Sequence, residues 1–137
     1  MFETFIHQVN YLAIIVSAVV YFVIGAVWYS LVFGKIWMKY VGRSEEQLRS
    51  GSKIVFLYTL IAELVICFAM AFIIWILGTP NCVSAIKVGL FFGLAFTSTI
   101  IAINNWYGQR SWKLTFIDSG YHIVGMVFAS IILTVWN

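Results

Sequence analysis

The chain has 137 residues, of which 63% are hydrophobic and 9% are charged. No soluble fold of this size hides so much apolar surface, so the composition excludes an ordinary soluble protein. The formal net charge of +3 is not a sign of nucleic-acid binding, which would need a basic patch on a soluble surface. We therefore expect an all-α integral membrane protein whose partner is the lipid bilayer, with no nucleic acid.

Four apolar stretches account for most of the chain, at residues 11–33, 54–77, 83–107 and 114–136. Each has about 20 residues or more, the length that an α-helix needs to cross a hydrocarbon core about 30 Å thick. The second and third connections are short, and short connections make neighbouring helices antiparallel. The sequence therefore predicts a single transmembrane domain over residues 1–137, built as a bundle of four antiparallel helices.

The connection at residues 34–53 is the only substantial piece outside the predicted spans. Its first half mixes aromatic and basic residues, as an interfacial helix does. Ser44 and Gln47 have the spacing of a capping box, which indicates a short helix that runs to about Arg49. We predict a short amphipathic hairpin at the lipid headgroups between the first and second spans. A docking site for a partner is the alternative.

Lysine and arginine are concentrated in two of the loops. Residues 34–53 and 108–113 contain seven of the eight, and Lys87, at the edge of the second connection, is the eighth. Short loops rich in these residues stay in the cytoplasm. We therefore expect loops 34–53 and 108–113 to be cytoplasmic and both termini to lie outside, with the protein in the cell (inner) membrane.

Small and polar residues fall into one stripe on each span at helical spacing. In lipid the hydrophobic effect does not drive helices together, so small residues that allow close backbone contact mark the interfaces. We expect the four stripes to face one another in one compact bundle, with dimerisation through the third span as the alternative. The predicted packing residues are Gly25, Gly89, Gly93 and Gly125.

Glu63 is the residue of the predicted spans whose insertion into the bilayer costs the most free energy. It lies about ten residues into the second span, close to the bilayer midplane by helical rise. A charged side chain there costs on the order of 3 kcal/mol. Three interpretations remain open: a protonated carboxyl bonded to a neighbouring helix, a proton or cation site, and a contact with lipid or quinone.

Asp118 and His122 form a second group of polar residues. Their i, i+4 spacing puts both on one face of the fourth helix, so we expect a hydrogen-bonded pair that relays protons or only satisfies itself. By depth, the ends of the first and third spans lie nearby, which predicts a polar, aromatic-rimmed pocket with Glu63 at its floor. The members of this predicted intramembrane polar site are Trp28, Tyr29, Glu63, Asn104, Asp118 and His122.

No catalytic, metal or cofactor signature accompanies these residues. An activated nucleophile is missing, and His7 and His122 lie at opposite ends of the predicted bundle, so a histidine metal site or bis-histidine haem cannot form within one chain. Cys67 and Cys82 differ in depth by more than a disulfide spans. We therefore expect a protein that is not an enzyme and carries no metal or cofactor.

Several short motifs resemble those of a known family. Gly25-Ala-Val-Trp-Tyr-Ser30 followed by Phe33-Gly-Lys-Ile-Trp37, together with Asn10-Tyr-Leu12 and Asp118-Ser-Gly-Tyr-His122, is similar to the signature of the family catalogued as domain of unknown function 1761. The resemblance covers essentially the whole chain and implies a small four-span membrane protein. It brings no established activity, and Glu63 is not part of the pattern.

Two functional hypotheses follow. The first is a transporter- or channel-like protein that handles a proton, cation or small solute through an inward-facing polar pocket, as a homo-oligomer. The second is an accessory or assembly subunit of a larger membrane complex, with no transport activity of its own, in which the buried polar groups serve packing. An enzyme acting on lipid or quinone would need a nucleophile or metal site, which the sequence does not offer.

Overall fold

The computed structural model of the chain describes residues 1–136. Their secondary structure consists of α-helices and two π-helical segments, with no strand among them. In chain order the helices are α1 (Phe2–Gln8), α2 (Tyr11–Val27), α3 (Gly34–Val41), α4 (Glu45–Arg49), α5 (Ile54–Leu77), α6 (Cys82–Phe92), α7 (Thr99–Tyr107) and α8 (Trp112–Val135). The first π-helical segment is Trp28–Val32 and the second is Gly93–Ser98.

Four helical units are long and apolar enough to cross a membrane. Span 1 is Tyr11–Val32, span 2 is Ile54–Leu77, span 3 is Cys82–Tyr107 and span 4 is Trp112–Val135. The predicted fold, an integral membrane bundle of four helices, is confirmed, and the bounds differ from the predicted ones by only one or two residues.

Both ends of the described chain lie at the same end of the bundle. The side-chain amide of Asn10 donates to the backbone oxygen of Trp136 at 2.8 Å, which joins the start of span 1 to the end of span 4. We call this the terminal end. The opposite end, which carries residues 34–53 and 108–111, is called the basic end.

Span 4 is the central helix of the bundle. It packs against each of the other three, whereas spans 1 and 2 also pack on each other and span 3 packs chiefly on span 4. In the most apolar part of span 4, 44% of the residues are buried, whereas in that of span 3 only 11% are buried. Spans 1, 2 and 4 therefore form the core, and the predicted stripe of span 3 faces span 4 alone, on one side of that core.

The contact between spans 3 and 4 depends on two glycines. A Cβ on Gly89 would lie 2.6 Å from the Cα of Val127, and a Cβ on Gly93 would lie 3.0 Å from the Cα of Ile123. Both positions admit the backbone of span 4 because they lack a side chain. Gly89 and Gly93 were predicted as packing residues, and both lie against the backbone of span 4 in the structure.

Helix α1 at the terminal end is not predicted by the sequence pattern. Phe5 is fully buried, and its ring lies 5.4 Å from that of Phe68 and 5.0 Å from that of Phe72, between centroids. Trp75 Nε1 also donates to Gln8 Oε1 at 3.3 Å. Aromatic contacts of this kind hold α1 against span 2.

The hairpin between spans 1 and 2 is present as expected. Helix α3 ends at Gly42, whose φ of 72° suits glycine. Helix α4 begins with a capping box in which Gln47 N donates to Ser44 Oγ at 3.2 Å and Ser44 N donates to Gln47 Oε1 at 2.9 Å. Helix α3 contacts span 4, so the hairpin folds back over the basic end.

Candidate functional site

The acidic and imidazole side chains within the spans share one kind of partner. Each is hydrogen-bonded to a tyrosine hydroxyl from a different span. Because lipid offers no partner to such groups, a phenol on a neighbouring helix satisfies them inside the protein. The three pairs are Tyr121–Glu63, Tyr29–Asp118 and Tyr21–His122.

The Glu63 carboxyl is the most deeply buried of the three groups. Glu63 is 2% exposed and Tyr121 is 6% exposed. The hydroxyl of Tyr121, on span 4, donates to Glu63 Oε1, on span 2. Glu63 Oε2 is buried and has no hydrogen-bond partner among residues 1–136. The carboxyl therefore has one oxygen with a hydrogen-bond partner and one without, within the described structure.

The Asp118 carboxyl is half-buried and lies nearer the basic end. Tyr29 Oη donates to Asp118 Oδ1 at 2.7 Å, and Trp28 Nε1 donates to the backbone oxygen of Ile117 at 2.9 Å. Both donors belong to the first π-helical segment, whose wider turn directs two consecutive side chains at span 4. The ring of Trp37, from α3, lies 5.3 Å from that of Tyr29 and covers the pair.

The imidazole of His122 bonds to span 1. Tyr21 is fully buried, and its hydroxyl lies 2.7 Å from His122 Nδ1 and 3.3 Å from the backbone oxygen of the same residue. The phenol donates to Nδ1 when that nitrogen is unprotonated, and it accepts when Nδ1 carries a hydrogen. The bond therefore survives a change of tautomer.

The three tyrosines form one cluster, called the tyrosine cluster, with Tyr121 at its centre. The centroid of the Tyr121 ring is 5.4 Å from that of Tyr21 and 5.4 Å from that of Tyr29, both edge to face. The His122 ring lies 4.5 Å from it. Edge-to-face packing is a preferred geometry for aromatic rings, so ring contacts connect the three hydrogen-bonded pairs.

Three glycines make room for these rings. A Cβ on Gly25 would lie 3.0 Å from Cε2 of Tyr121, and a Cβ on Gly125 would overlap the ring of Tyr21. Gly25 and Gly125 were predicted as packing residues, and the structure gives the reason: each provides a flat surface for a ring of the opposite span. Gly120 does the same for Trp28, because a Cβ on Gly120 would lie 2.8 Å from Cζ2 of that ring. It lies off the predicted stripe, so the spacing gave no signal for it.

The expected hydrogen bond between Asp118 and His122 is wrong. The i, i+4 spacing places both on the face that meets span 1, but each bonds to a tyrosine of that span at 2.7 Å. A phenol oriented by the packing of a second helix is a better partner here than a side chain one turn away. The two residues belong to one site without touching through a hydrogen bond.

Asn104 also departs from its predicted place. It is exposed, whereas Asn105 is buried and donates through Nδ2 to Thr115 Oγ1, on span 4, at 3.0 Å. The cause is the second π-helical segment, because the residue that a π turn adds rotates every later position on the helix. The inward stripe of span 3 therefore passes through Asn105, whereas the spacing predicts Asn104 as the site residue.

The region expected to be an open polar pocket is filled. Tyr21, Glu63 and Tyr121 are each no more than 6% exposed, and the rings occupy the space between spans 1, 2 and 4. The structure instead has an apolar groove of about 360 Å³ on the outside of spans 1 and 2. Its lining residues are Tyr11, Ile14, Ile15, Ile61, Leu64, Val65 and Phe68.

Within the described part of the chain, no three residues of the histidine, cysteine, aspartate and glutamate types come together as metal ligands. Cys67 is buried and Cys82 is exposed, and both are free. The functional groups at the site are therefore two carboxyls, an imidazole and three phenols. Groups of these types can give and accept protons.

Comparison with known proteins identifies a family. The family model described as protein of unknown function (DUF1761) matches residues 12–134. This match confirms the resemblance found in the sequence motifs. No curated protein and no solved structure matches the chain.

Proposed function

The chain belongs to this family of proteins of unknown function (DUF1761), and we propose from the geometry of its site that the protein handles protons within the membrane. One observation carries the proposal: every acidic or imidazole side chain in the described spans is bonded to a phenol from another helix. Buried acids and histidines in membrane helices are costly, and chains of them serve as proton relays in pumps and transporters.

The packing of the site favours a proton over a larger cargo. A proton moves between hydrogen-bonded groups and needs no open lumen. A hydrated cation or an organic solute needs a pathway wide enough to pass, but the rings of the tyrosine cluster fill the centre, and Tyr21 is 0% exposed. Proton handling therefore requires the smallest rearrangement of this bundle.

The pairs define an order along the bundle. Asp118 is half-buried near the basic end, Tyr29 bonds to it, and the ring of Tyr29 contacts that of Tyr121, which bonds to Glu63. Ring contacts rather than hydrogen bonds join the pairs, so exchange between them requires a phenol hydroxyl to rotate. In this proposal Asp118 is the group that meets the aqueous side, and Glu63 is the buried acceptor.

The orientation is part of the proposal. The basic end carries seven of the eight Lys and Arg residues, which supports its placement in the cytoplasm, with both termini outside and the protein in the cell (inner) membrane. Protons would then enter the site from the cytoplasm, past Trp37 and Tyr29. A homo-oligomer would bury the exposed side of span 3.

A second candidate function is that of an accessory or assembly subunit in a larger membrane complex. Span 3 favours it, because only 11% of its most apolar part is buried and aromatic rings such as Phe91 and Phe96 are 58% and 51% exposed. A partner helix would find an apolar surface there. In that case the phenol pairs fix the core of the bundle and move no proton.

Reconstitution in liposomes with a trapped pH-sensitive dye separates the two functions. We expect proton flux above that of protein-free vesicles under an imposed potential, and we expect Glu63→Gln and Asp118→Asn to lose most of it. Glu46→Gln, which makes the same chemical change at an exposed position of α4, is the matched control and keeps the flux. A wild-type protein without flux, or a Glu63→Gln variant with full flux, would contradict proton handling.

A further inference from the structure

A lysine at the basic end is held by two aromatic rings. Nζ of Lys113, in the first turn of span 4, lies 5.4 Å from the centroid of the Tyr40 ring and 5.7 Å from that of Trp112. Tyr40 comes from α3, so the hairpin contributes to the position of the ammonium group. Cation–π contacts hold a lysine through its charge and leave its N–H donors available.

Among residues 1–136, no carboxylate lies within 4.0 Å of this ammonium group. Among residues 1–136 the ion pair within 4.0 Å joins Arg49 to Glu45, on α4. The loops of the basic end contain six further basic residues and two acidic ones, Glu45 and Glu46. Lys113 therefore lies in a region of unbalanced positive charge, at the level where a bilayer has its headgroups.

An exposed aromatic surface continues from Lys113 toward the hydrocarbon. The ring of Phe116, one turn deeper on span 4, lies 5.7 Å from the Trp112 ring, edge to face. Trp112 is 62% exposed and Phe116 is 70% exposed. A cation thus lies above two apolar rings that follow the helix into the membrane, and we call these three residues the Lys113 surface.

We propose that the Lys113 surface binds an anionic phospholipid, with the phosphate on the Lys113 ammonium and an acyl chain along Trp112 and Phe116. The positive charge selects an anionic headgroup, because a zwitterionic headgroup brings its own ammonium into the same region. The aromatic rings select a lipid over a soluble phosphate, because only a lipid has a chain that covers them. Basic residues at such a site contribute about 1 kcal/mol each to the binding of anionic lipid.

Native mass spectrometry of the whole protein in neutral detergent tests the proposal. The protein is titrated with phosphatidylglycerol or with phosphatidylcholine of the same acyl chains, and the bound lipid is counted. We expect phosphatidylglycerol to be retained preferentially, and Lys113→Gln to weaken its binding by about five-fold, the factor that corresponds to one basic residue. The matched control is Lys87→Gln, an exposed lysine at the terminal end, which leaves the binding unchanged.

A second pair of variants tests the apolar half of the surface. Phe116→Ala removes the exposed ring beneath Trp112 and is expected to weaken binding of both lipids. Phe91→Ala, which removes a ring of span 3 that is 58% exposed, is the control and leaves binding unchanged. Melting in lipid-free detergent checks that all four variants are folded.

Three results would overturn the proposal. Equal losses for Lys113→Gln and Lys87→Gln would mean that the lipid responds only to net charge. Full retention by Phe116→Ala would mean that no acyl chain lies on the rings. Displacement of phosphatidylglycerol by inorganic phosphate at millimolar concentration would identify a soluble anion as the ligand.

Discussion

The hydroxyl of Tyr121 on span 4 donates a hydrogen bond to the carboxyl of Glu63 on span 2. This bond joins Glu63, the side chain whose burial in the membrane costs the most free energy, to the centre of the tyrosine cluster. It explains how a carboxyl that is 2% exposed is tolerated in an apolar helix, because a buried polar group is stable only with a partner. In the proposed function, the same bond makes Glu63 part of a set of groups that exchange protons.

Replacing Tyr121 with phenylalanine should destabilise the bundle. The variant keeps the ring but leaves the Glu63 carboxyl without its donor, and a buried polar group without a partner costs about 1–3 kcal/mol. Melting in detergent measures the loss. Tyr107→Phe, which makes the same change at a tyrosine that is 89% exposed, is the control, and equal Tm values for the two variants would contradict the role of the bond.

Replacing Gly125 with alanine should separate spans 1 and 4. The added Cβ would overlap the ring of Tyr21, and adding atoms to a packed core typically costs about 1–3 kcal/mol. The variant should therefore melt at a lower temperature than the wild type. Ala69→Val, which adds atoms at an exposed position of span 2, is the comparison. A Gly125→Ala protein as stable as the wild type would mean that the Tyr21 ring does not lie on this glycine.

A double-mutant cycle distinguishes the observed partner of Asp118 from the one that the spacing predicts. Tyr29→Phe and Asp118→Ala remove the donor and the acceptor of one hydrogen bond, so their effects on the free energy of unfolding should be non-additive by about 0.5–3 kcal/mol. Asp118→Ala combined with His122→Gln should show a smaller coupling, because no hydrogen bond joins those two side chains in the structure. The reverse pattern would restore the Asp118–His122 pair and remove Tyr29 from the site.

The features that the sequence predicts well are those that depend on one segment at a time. The four spans follow from length and hydropathy, and the capping box at Ser44 and Gln47 is a local motif. Gly89 and Gly93 are also recognisable, because small residues one turn apart in an apolar helix allow close contact with another backbone. In each case the physical cause lies within a few residues of the chain.

The features that the sequence does not predict depend on the meeting of two segments. Helical spacing gives the face on which Asp118 and His122 lie but not which side chains arrive from span 1. Tyr21 and Tyr29 carry no signal that distinguishes a hydrogen-bonded tyrosine from an interfacial one. The spacing selects Asn104 instead of Asn105 for a different reason, because the added residue of the second π-helical segment changes the face of every position after it.

Labelling of cysteines in intact cells tests the orientation. Cys82 is exposed at the terminal end, so an impermeant thiol reagent should reach it from outside and provide an internal control. A cysteine introduced by Ser50→Cys in a Cys82→Ser background should stay unlabelled until the membrane is opened, because the basic end is expected to be cytoplasmic. Labelling of position 50 in closed cells would reverse the orientation.

Infrared difference spectroscopy of the reconstituted protein tests proton exchange at Glu63 most directly. The carboxyl band of Glu63 is identified by its loss in Glu63→Gln, and its response to pH is compared between the wild type and Asp118→Asn. We predict a band that changes with pH in the wild type, shifts in frequency in Tyr121→Phe, and responds more slowly in Asp118→Asn. A Glu63 band that stays constant across the whole pH range in which the protein is folded would contradict proton handling by this site.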